Sequence, residues 1–253
     1  MSNPIDRFAA QFIEARTSGR QFTAATDPAP ATAQEAYAMQ DRIFAALYPG
    51  QRGTAWKVGG PRADVAPMAA PIPSAGLLAS PAHVPAKGFH MIGIESEIAY
   101  RLGGDLPPRA APYTEEEIAA AVTEALVVIE LCDTRLANWK EASAFWRLAD
   151  YQLNAALVIG SGRKDWSAID FTKQRVELWI DGALAKEASG VHPYGNPIRL
   201  LPWLAAHCAT RGGLHAGDII TTGTWTGMQF VQPGAEVIAR FPGVGEASVK
   251  LER

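Results

Sequence analysis

The chain of 253 residues is 48% hydrophobic with a formal charge of -3, which suits one domain with a sizeable core, or one domain and an N-terminal appendage, and excludes a disordered or fibrous chain. The small negative charge and the lack of Lys/Arg runs exclude nucleic acid and anionic membrane as main partners. Only two cysteines, Cys132 and Cys208, are present, so neither a disulfide framework nor a cysteine zinc site is expected and the compartment should be reducing.

In chain order, Ile5, Phe8, Ala9, Phe12 and Ile13 recur at helical spacing, and Thr32 with Glu35 forms a capping-box pattern opening a second helix that runs to about Tyr48. Residues 1–50 therefore read as an N-terminal helical cap, and 51–253 as a catalytic domain. The segment Met1-Ser2-Asn3-Pro4-Ile5-Asp6 has no basic region before an apolar one, and no later stretch approaches the length of a membrane span. A cytoplasmic protein is expected. Residues 55–58 read as a short strand, and residues 59–90, rich in proline, glycine and alanine, as a long irregular segment serving as a lid or pocket wall. Thr114 and Glu117 cap a third helix with Ile118, Val122 and Leu126 on one stripe, leading into an apolar strand. Val176, Leu178 and Ile180 alternate into Asp181-Gly182, a hairpin turn returning through 183–188. Asn196-Pro197 opens a helix carrying Ile198, Leu201, Leu204 and Cys208 and ended by Gly212-Gly213. Short strands follow at Ile219, Val237 and Val249. Hairpins with segregated helices indicate an α+β fold, and the lack of a G-x-G-x-x-G or P-loop after a strand argues against a nucleotide cofactor.

The chemistry gathers around three acidic residues. Residues 92–102 read as a strand, so Glu95 and Glu97 share one face, roughly 6 to 7 Å apart, while Ile94, Ile98, Tyr100 and Leu102 face the core. Glu130 lies inside Leu126-Val127-Val128-Ile129-Glu130-Leu131-Cys132, an apolar run built for burial. A buried carboxylate must be paired, protonated or given a cation. Oxygen ligands of this kind favour magnesium or manganese. A solvated strand face is the plain alternative for Glu95 and Glu97.

Trp56-Lys57-Val58-Gly59, Ile94-Glu95-Ser96-Glu97-Ile98-Ala99, Ile129-Glu130-Leu131-Cys132-Asp133-Thr134-Arg135, Ala149-Asp150, Gly195-Asn196-Pro197 and Gly217-Asp218-Ile219-Ile220-Thr221-Thr222-Gly223 occur in the order of one superfamily. The chain resembles the fumarylacetoacetate hydrolase superfamily over residues 30–253, and within it the 2-keto-4-pentenoate hydratase and 4-oxalocrotonate decarboxylase branch. The resemblance implies a β-rich mixed roll, a homo-oligomer, and Mg2+ or Mn2+ held by Glu95, Glu97 and Glu130 and chelating a small 2-oxo acid, as in aromatic-compound catabolism. Lys57 matches the K-x-G lysine of the family, an acid/base or carboxylate-binding group whose pKa a metal and apolar walls would lower. Without the resemblance, Lys57 would read as a lysine snorkelling to solvent.

The chain departs from the branch at Gly59-Gly60-Pro61-Arg62, where hydratases carry G-L-T-S, and at Ser74-Ala75-Gly76, where they carry an acidic D-F-G. Thr222-Gly223-Thr224 resembles the T-G-T of the hydrolase branch and is expected to contact substrate. Asp133 and Arg135 are expected to pair and hold the end of the Glu130 strand. His83, His90, His192, His207 and His215 lack metal-ligand spacing, with only His90 placed to reach the pocket mouth as a proton shuttle. Trp139 and Trp146 read as core or interface aromatics. Three functions are consistent with these residues: a metal-dependent lyase adding water to an unsaturated 2-oxo acid, a carbon–carbon-cleaving decarboxylase or acylpyruvate hydrolase, and a non-catalytic partner subunit.

Overall fold

A computed structural model describes residues 3–25 and 30–253; residues 1, 2 and 26–29 of the expected N-terminal cap lie outside them. The helices are α1 (Pro4–Ser18), α2 (Ala33–Leu47), α3 (Glu115–Ala121), α4 (Ala144–Ala149) and α5 (Leu201–Cys208). The strands begin with β1 (Ala55–Gly59), β2 (Met68–Ile72), β3 (Leu77–Ala79), β4 (Ala82–Pro85), β5 (Gly93–Leu102), β6 (Val122–Cys132) and β7 (Asn154–Arg163). They continue with β8 (Arg175–Ile180), β9 (Ala183–Ser189), β10 (Ile219–Thr224), β11 (Gln229–Phe230), β12 (Glu236–Phe241) and β13 (Gly245–Glu252).

Two sheets form the α+β roll. One is ordered β2-β1-β10-β5-β6-β7-β3, with β11 added beside β5, and the other β4-β13-β12-β8-β9. Their facing sides share the main core, in which Ile94, Ile98, Tyr100, Val127 and Ile129 of the first sheet join the same cluster as Val176, Leu178, Val237 and Val249 of the second. The sheets touch most closely where β7 meets β13. A side chain at Gly160 would run into the carbonyl of Glu246 and into Ala247, so glycine there permits the backbones to approach. The other side of the first sheet carries Ala55, Ile72, Ala99, Leu126, Val128 and Leu157. A separate helical layer of α1, α2 and α4 closes around Phe8, Phe12, Met39, Ile43 and Trp146, and also takes in Leu136 and Tyr151. Its core thus draws on residues beyond 50. Among the described residues no helix is long and apolar enough to cross a membrane.

Several expected elements differ. The third helix stops at Ala121, and Val122 and Leu126 belong to β6, buried throughout from Ala125 to Cys132. β-branched Val122, Thr123, Val127, Val128 and Ile129 prefer extended backbone, and a strand covered on both sides shows a continuous apolar run that imitates a helix stripe. Residues 59–90 are not one irregular excursion, because β2, β3 and β4 lie within them and only 60–67 stay irregular near the site. The prolines that hid these strands sit at sheet edges: Pro71 on β2 and Pro85 on β4, each the terminal strand of its sheet. The capping box at Thr32 is half formed, since Thr32 accepts from the Glu35 N–H but Glu35 reaches back to Ala31. At Thr114 and Glu117 both halves are present. The Asp181-Gly182 hairpin forms as expected, both residues having positive φ. The helix after Asn196 begins as a 3-10 turn, Pro197–Leu200, before α5.

Candidate metal centre and active site

Antiparallel pairing of β5 with β6 puts Glu95 directly opposite Glu130 and Glu97 opposite Val128. Period-two alternation then brings all three carboxylates to one side of the sheet, away from Ile94, Ile98 and Tyr100. Glu97 and Glu130 are fully buried, and Glu95 is half-buried. The solvated-face alternative is excluded for Glu97. Glu130 Oε1 accepts from Lys57 Nζ at 2.6 Å and from Asn154 Nδ2 at 2.8 Å. Glu97 Oε2 accepts from the Thr221 hydroxyl and from the Gly223 N–H at 2.9 Å. In each case the second oxygen, Glu130 Oε2 and Glu97 Oε1, is buried with no partner. Two buried carboxylates held by one oxygen and free at the other fit a cation, since an unpaired buried acceptor otherwise costs about 1–3 kcal/mol or more. The donors nearest one another are those of Glu95, Glu130 and Cys132, all within 4.8 Å.

Lys57 reaches this cluster because the sheet curls. β1 and β6 are three strand spacings apart in the sheet order, about 14 Å if flat, yet Lys57 and Glu130 touch across the concave side. Lys57 is buried, and its Nζ also donates to the Gln152 carbonyl at 3.0 Å. Its ordinary pKa is shifted by two opposing causes: burial lowers it, while the charges of Glu130, Glu95 and Glu97 raise it, and the net direction is upward. The lowering by apolar walls is thus present, and the surrounding acids outweigh it. Burial first, and then Glu130, push Glu95 up to about 7. Burial, then Glu130 and Glu95, push Glu97 well up.

The Gln152 carbonyl is aimed by an unusual turn. Tyr151, Gln152 and Leu153 have φ of 54°, 51° and 67°, a left-handed run that costs of order 1–3 kcal/mol per residue unless the surroundings enforce it. Asp150 enforces it. Its Oδ2 accepts from the Thr134 hydroxyl and the Arg135 N–H, both at 2.9 Å, and its Oδ1 from Arg135 Nε at 2.5 Å and Arg16 Nη2 at 3.2 Å. The expected Asp133–Arg135 pair does not form. Asp133 instead accepts from the N–H groups of His90 and Met91, at 3.0 and 3.1 Å, at the entry to β5. The two residues still stabilise strand ends, through different partners, because the chain turns between them.

Thr222-Gly223-Thr224 is also divided in its roles. The Thr222 hydroxyl donates to the Ile98 carbonyl at 2.6 Å, Gly223 with φ 95° turns its N–H onto Glu97, and the Thr224 hydroxyl accepts from the Thr226 N–H at 3.3 Å, all three residues lining the pocket. A bulge between Thr221 and Thr224 allows this. The cavity, of about 340 Å³, is lined by Lys57, Glu95, Glu97, Gln152, His192 and Thr224 among others. His192, set aside in the sequence, is a buried wall: its Nε2 lies 2.9 Å from the Thr222 carbonyl and its Nδ1 accepts from the Tyr194 N–H. Burial lowers its pKa. His90 does not line the cavity; it contacts the Gly19 carbonyl and Asp133. Asn154, Thr221 and Gln152 were missed because only long-range pairing brings them to the acids. The one local signal was polar Asn154 and Thr221 standing beside the apolar runs of β7 and β10.

Residues 59–252 match the family described as fumarylacetoacetate (FAA) hydrolase C-terminal. Among curated relatives, a 2-keto-4-pentenoate hydratase of Burkholderia vietnamiensis is 31% identical, the match covering 96% of this chain and 95% of the relative. A 4-oxalocrotonate decarboxylase from Pseudomonas putida G7, solved with magnesium and adipate, superposes with a TM-score of 0.85 at 20% identity over 99% of both chains. A fumarylpyruvate hydrolase from Pseudomonas aeruginosa, solved with Mn2+ and pyruvate, gives a TM-score of 0.55 at 16% identity over 78% of this chain and 88% of its own. With the carboxylates, the lysine and the curled sheet in place, the matched span identifies the chain as a member of the fumarylacetoacetate hydrolase family.

Proposed function

We propose that this protein is a divalent-cation-dependent hydro-lyase that adds water to an unsaturated 2-oxo acid such as that derived from 2-hydroxypenta-2,4-dienoate. The observation carrying the reading is the pair of free, buried oxygens on Glu97 and Glu130 beside Glu95, in a chain matched along almost its whole length by a hydratase. Glu95, Glu97 and Glu130 would hold the cation, Mg2+ or Mn2+. When bound, that cation supplies Lewis-acid polarisation of the substrate's 2-oxo group.

The remaining work falls to the protein's own groups. Lys57 carries mobile protons on the floor of the cavity, and Glu130 and the Gln152 carbonyl fix its Nζ, so it serves as the proton-transfer group at substrate carbon. Gln152 Nε2 has no protein partner and is free to donate to a substrate oxygen. Thr224 offers a hydroxyl to the substrate carboxylate, while Asp133 and Arg135 hold the ends of the strands behind the cluster. His192 and the apolar stretch around Val58 and Met68 limit water to what the addition consumes. We further read the protein as a cytoplasmic homo-oligomer, for which the half-buried Trp139 and the 56% exposed Phe230, with ring centroids 6.5 Å apart, offer an aromatic patch.

The test follows the dienol absorbance of 2-hydroxypenta-2,4-dienoate with purified protein, with magnesium and with chelator. Magnesium-dependent decay to a 4-hydroxy-2-oxo acid, lost in Glu130→Ala, supports the reading. Tight oxalate binding without decay would defeat it and direct attention to decarboxylation, acylpyruvate cleavage or a non-catalytic role.

A further inference from the structure

A three-carboxylate cation site makes no use of Cys132, yet its sulfur lies within that cluster. Cys132 follows Glu130 by two residues on β6 and therefore points to the same side. Its thiol donates to Glu95 Oε2 at 3.8 Å, and donor atoms of Glu95, Glu130 and Cys132 lie within 4.8 Å of one another. The residue paired opposite Cys132 is Gly93, which brings no side chain to fill the space. A Cβ at Gly93 would lie 3.0 Å from Cys132 Cβ and 2.8 Å from Met228 Sδ, so two sulfur-bearing side chains border this end of the cluster. Independently, Glu130, with no solvent exposure, leaves Oε2 unpartnered.

We propose that the cation site has a mixed donor set in which Cys132 Sγ joins Glu95 and Glu130, so that it takes thiophilic d-block dications such as cobalt, zinc or cadmium as well as hard magnesium. This rests on the cation reading above and adds a ligand to it. Carboxylate oxygens alone suit magnesium and manganese, whereas sulfur selects softer ions. Coordination through Sγ breaks the S–H bond and releases one proton to solvent, the sulfur keeping the electron pair that it donates to the ion. A thiophilic ion would then compete with magnesium for the same carboxylates.

The experiment uses full-length protein stripped of metal and titrated with Co2+. Expected is a near-ultraviolet sulfur-to-cobalt charge-transfer band that saturates with one equivalent. Cys132→Ser should lose that band while keeping the visible d–d absorption of bound cobalt, and Cys208→Ser should keep both. Removing partners merely behind a metal ligand already lowers affinity about 10–100-fold, so Cys132→Ser should lower the zinc-to-magnesium affinity ratio at least about tenfold with magnesium binding unchanged. Cobalt bound with d–d absorption but no charge-transfer band in the parent protein, or a band surviving Cys132→Ser, would overturn the proposal and leave the carboxylate site standing. Failure of both cobalt and magnesium to bind in equilibrium dialysis would overturn both. Should Cys132→Ser fail to fold, the cadmium-113 resonance of the parent protein, which moves far downfield when sulfur coordinates, decides the same question.

Discussion

Replacing Glu95 with glutamine separates stability from cation binding. Glu95 is pushed from 4.5 to about 7 by burial and by Glu130. At about 1.4 kcal/mol per pH unit, that rise corresponds to about 3 kcal/mol of folded-state penalty once the group ionises. Because Glu95 is half-buried, solvent screening reduces the expectation to about 1–3 kcal/mol. The sign follows from which state holds the proton. Below 4.5 the acid is neutral folded and unfolded, and no penalty applies. Between 4.5 and about 7 the unfolded chain ionises first, so stability falls with rising pH, levelling off above 7. Metal-free protein should therefore lose stability between pH 5 and 8, and Glu95→Gln should recover about 1–3 kcal/mol at pH 8. Magnesium should offset that difference. At a hundredfold excess over its dissociation constant it adds about 2.7 kcal/mol to the parent protein and should add little to the variant. Urea unfolding at pH 5 and 8, with chelator and with magnesium, measures all four values. A variant that is no more stable than the parent at pH 8 without metal would refute the argument from burial and repulsion, whatever its activity.

Lys57→Met should cost about 3–5 kcal/mol, because it leaves the Glu130 carboxylate buried without its cation, and should abolish turnover; chemical denaturation and the dienol assay read the two effects, and a stable, inactive variant would assign Lys57 to chemistry alone. Asp150→Ala should cost about 3–5 kcal/mol by stranding Arg135 and Arg16, the latter already lowered to about 10 by burial and by Arg135. Its activity should fall further than its stability predicts, as the 151–153 turn relaxes and the Gln152 carbonyl leaves Lys57. A loss under about 1 kcal/mol in urea would mean that other contacts hold the turn.

The parts of the site legible in the sequence are those whose signal is local. Glu95 and Glu97 show themselves through alternation along a single strand, and Glu130 through a charge in an apolar run. Asp181-Gly182 and the Thr114 cap are equally self-contained. Pro71 and Pro85 misled because proline signals the absence of a ladder donor, not the absence of a strand, and only the sheet order shows that both stand at edges. Val122 and Leu126 fit a helix stripe until β5 and β7 are seen to pair with both edges of β6. Gln152 carried no local mark of function, since the lysine it holds is 95 residues away. Asp133 and Arg135 stand two apart, but each turns to a distant partner.

The position of β10 sets when the site can exist. It lies between β1 and β5, although it is translated more than a hundred residues after both. Without it β1 has no place beside β5, so Lys57 and the acids of β5 and β6 cannot be assembled by a shorter chain. Non-local pairing of this kind is slow to form. A nascent chain can therefore pair its two acidic strands with each other but cannot bring Lys57 to them until residues 219–224 have left the ribosome.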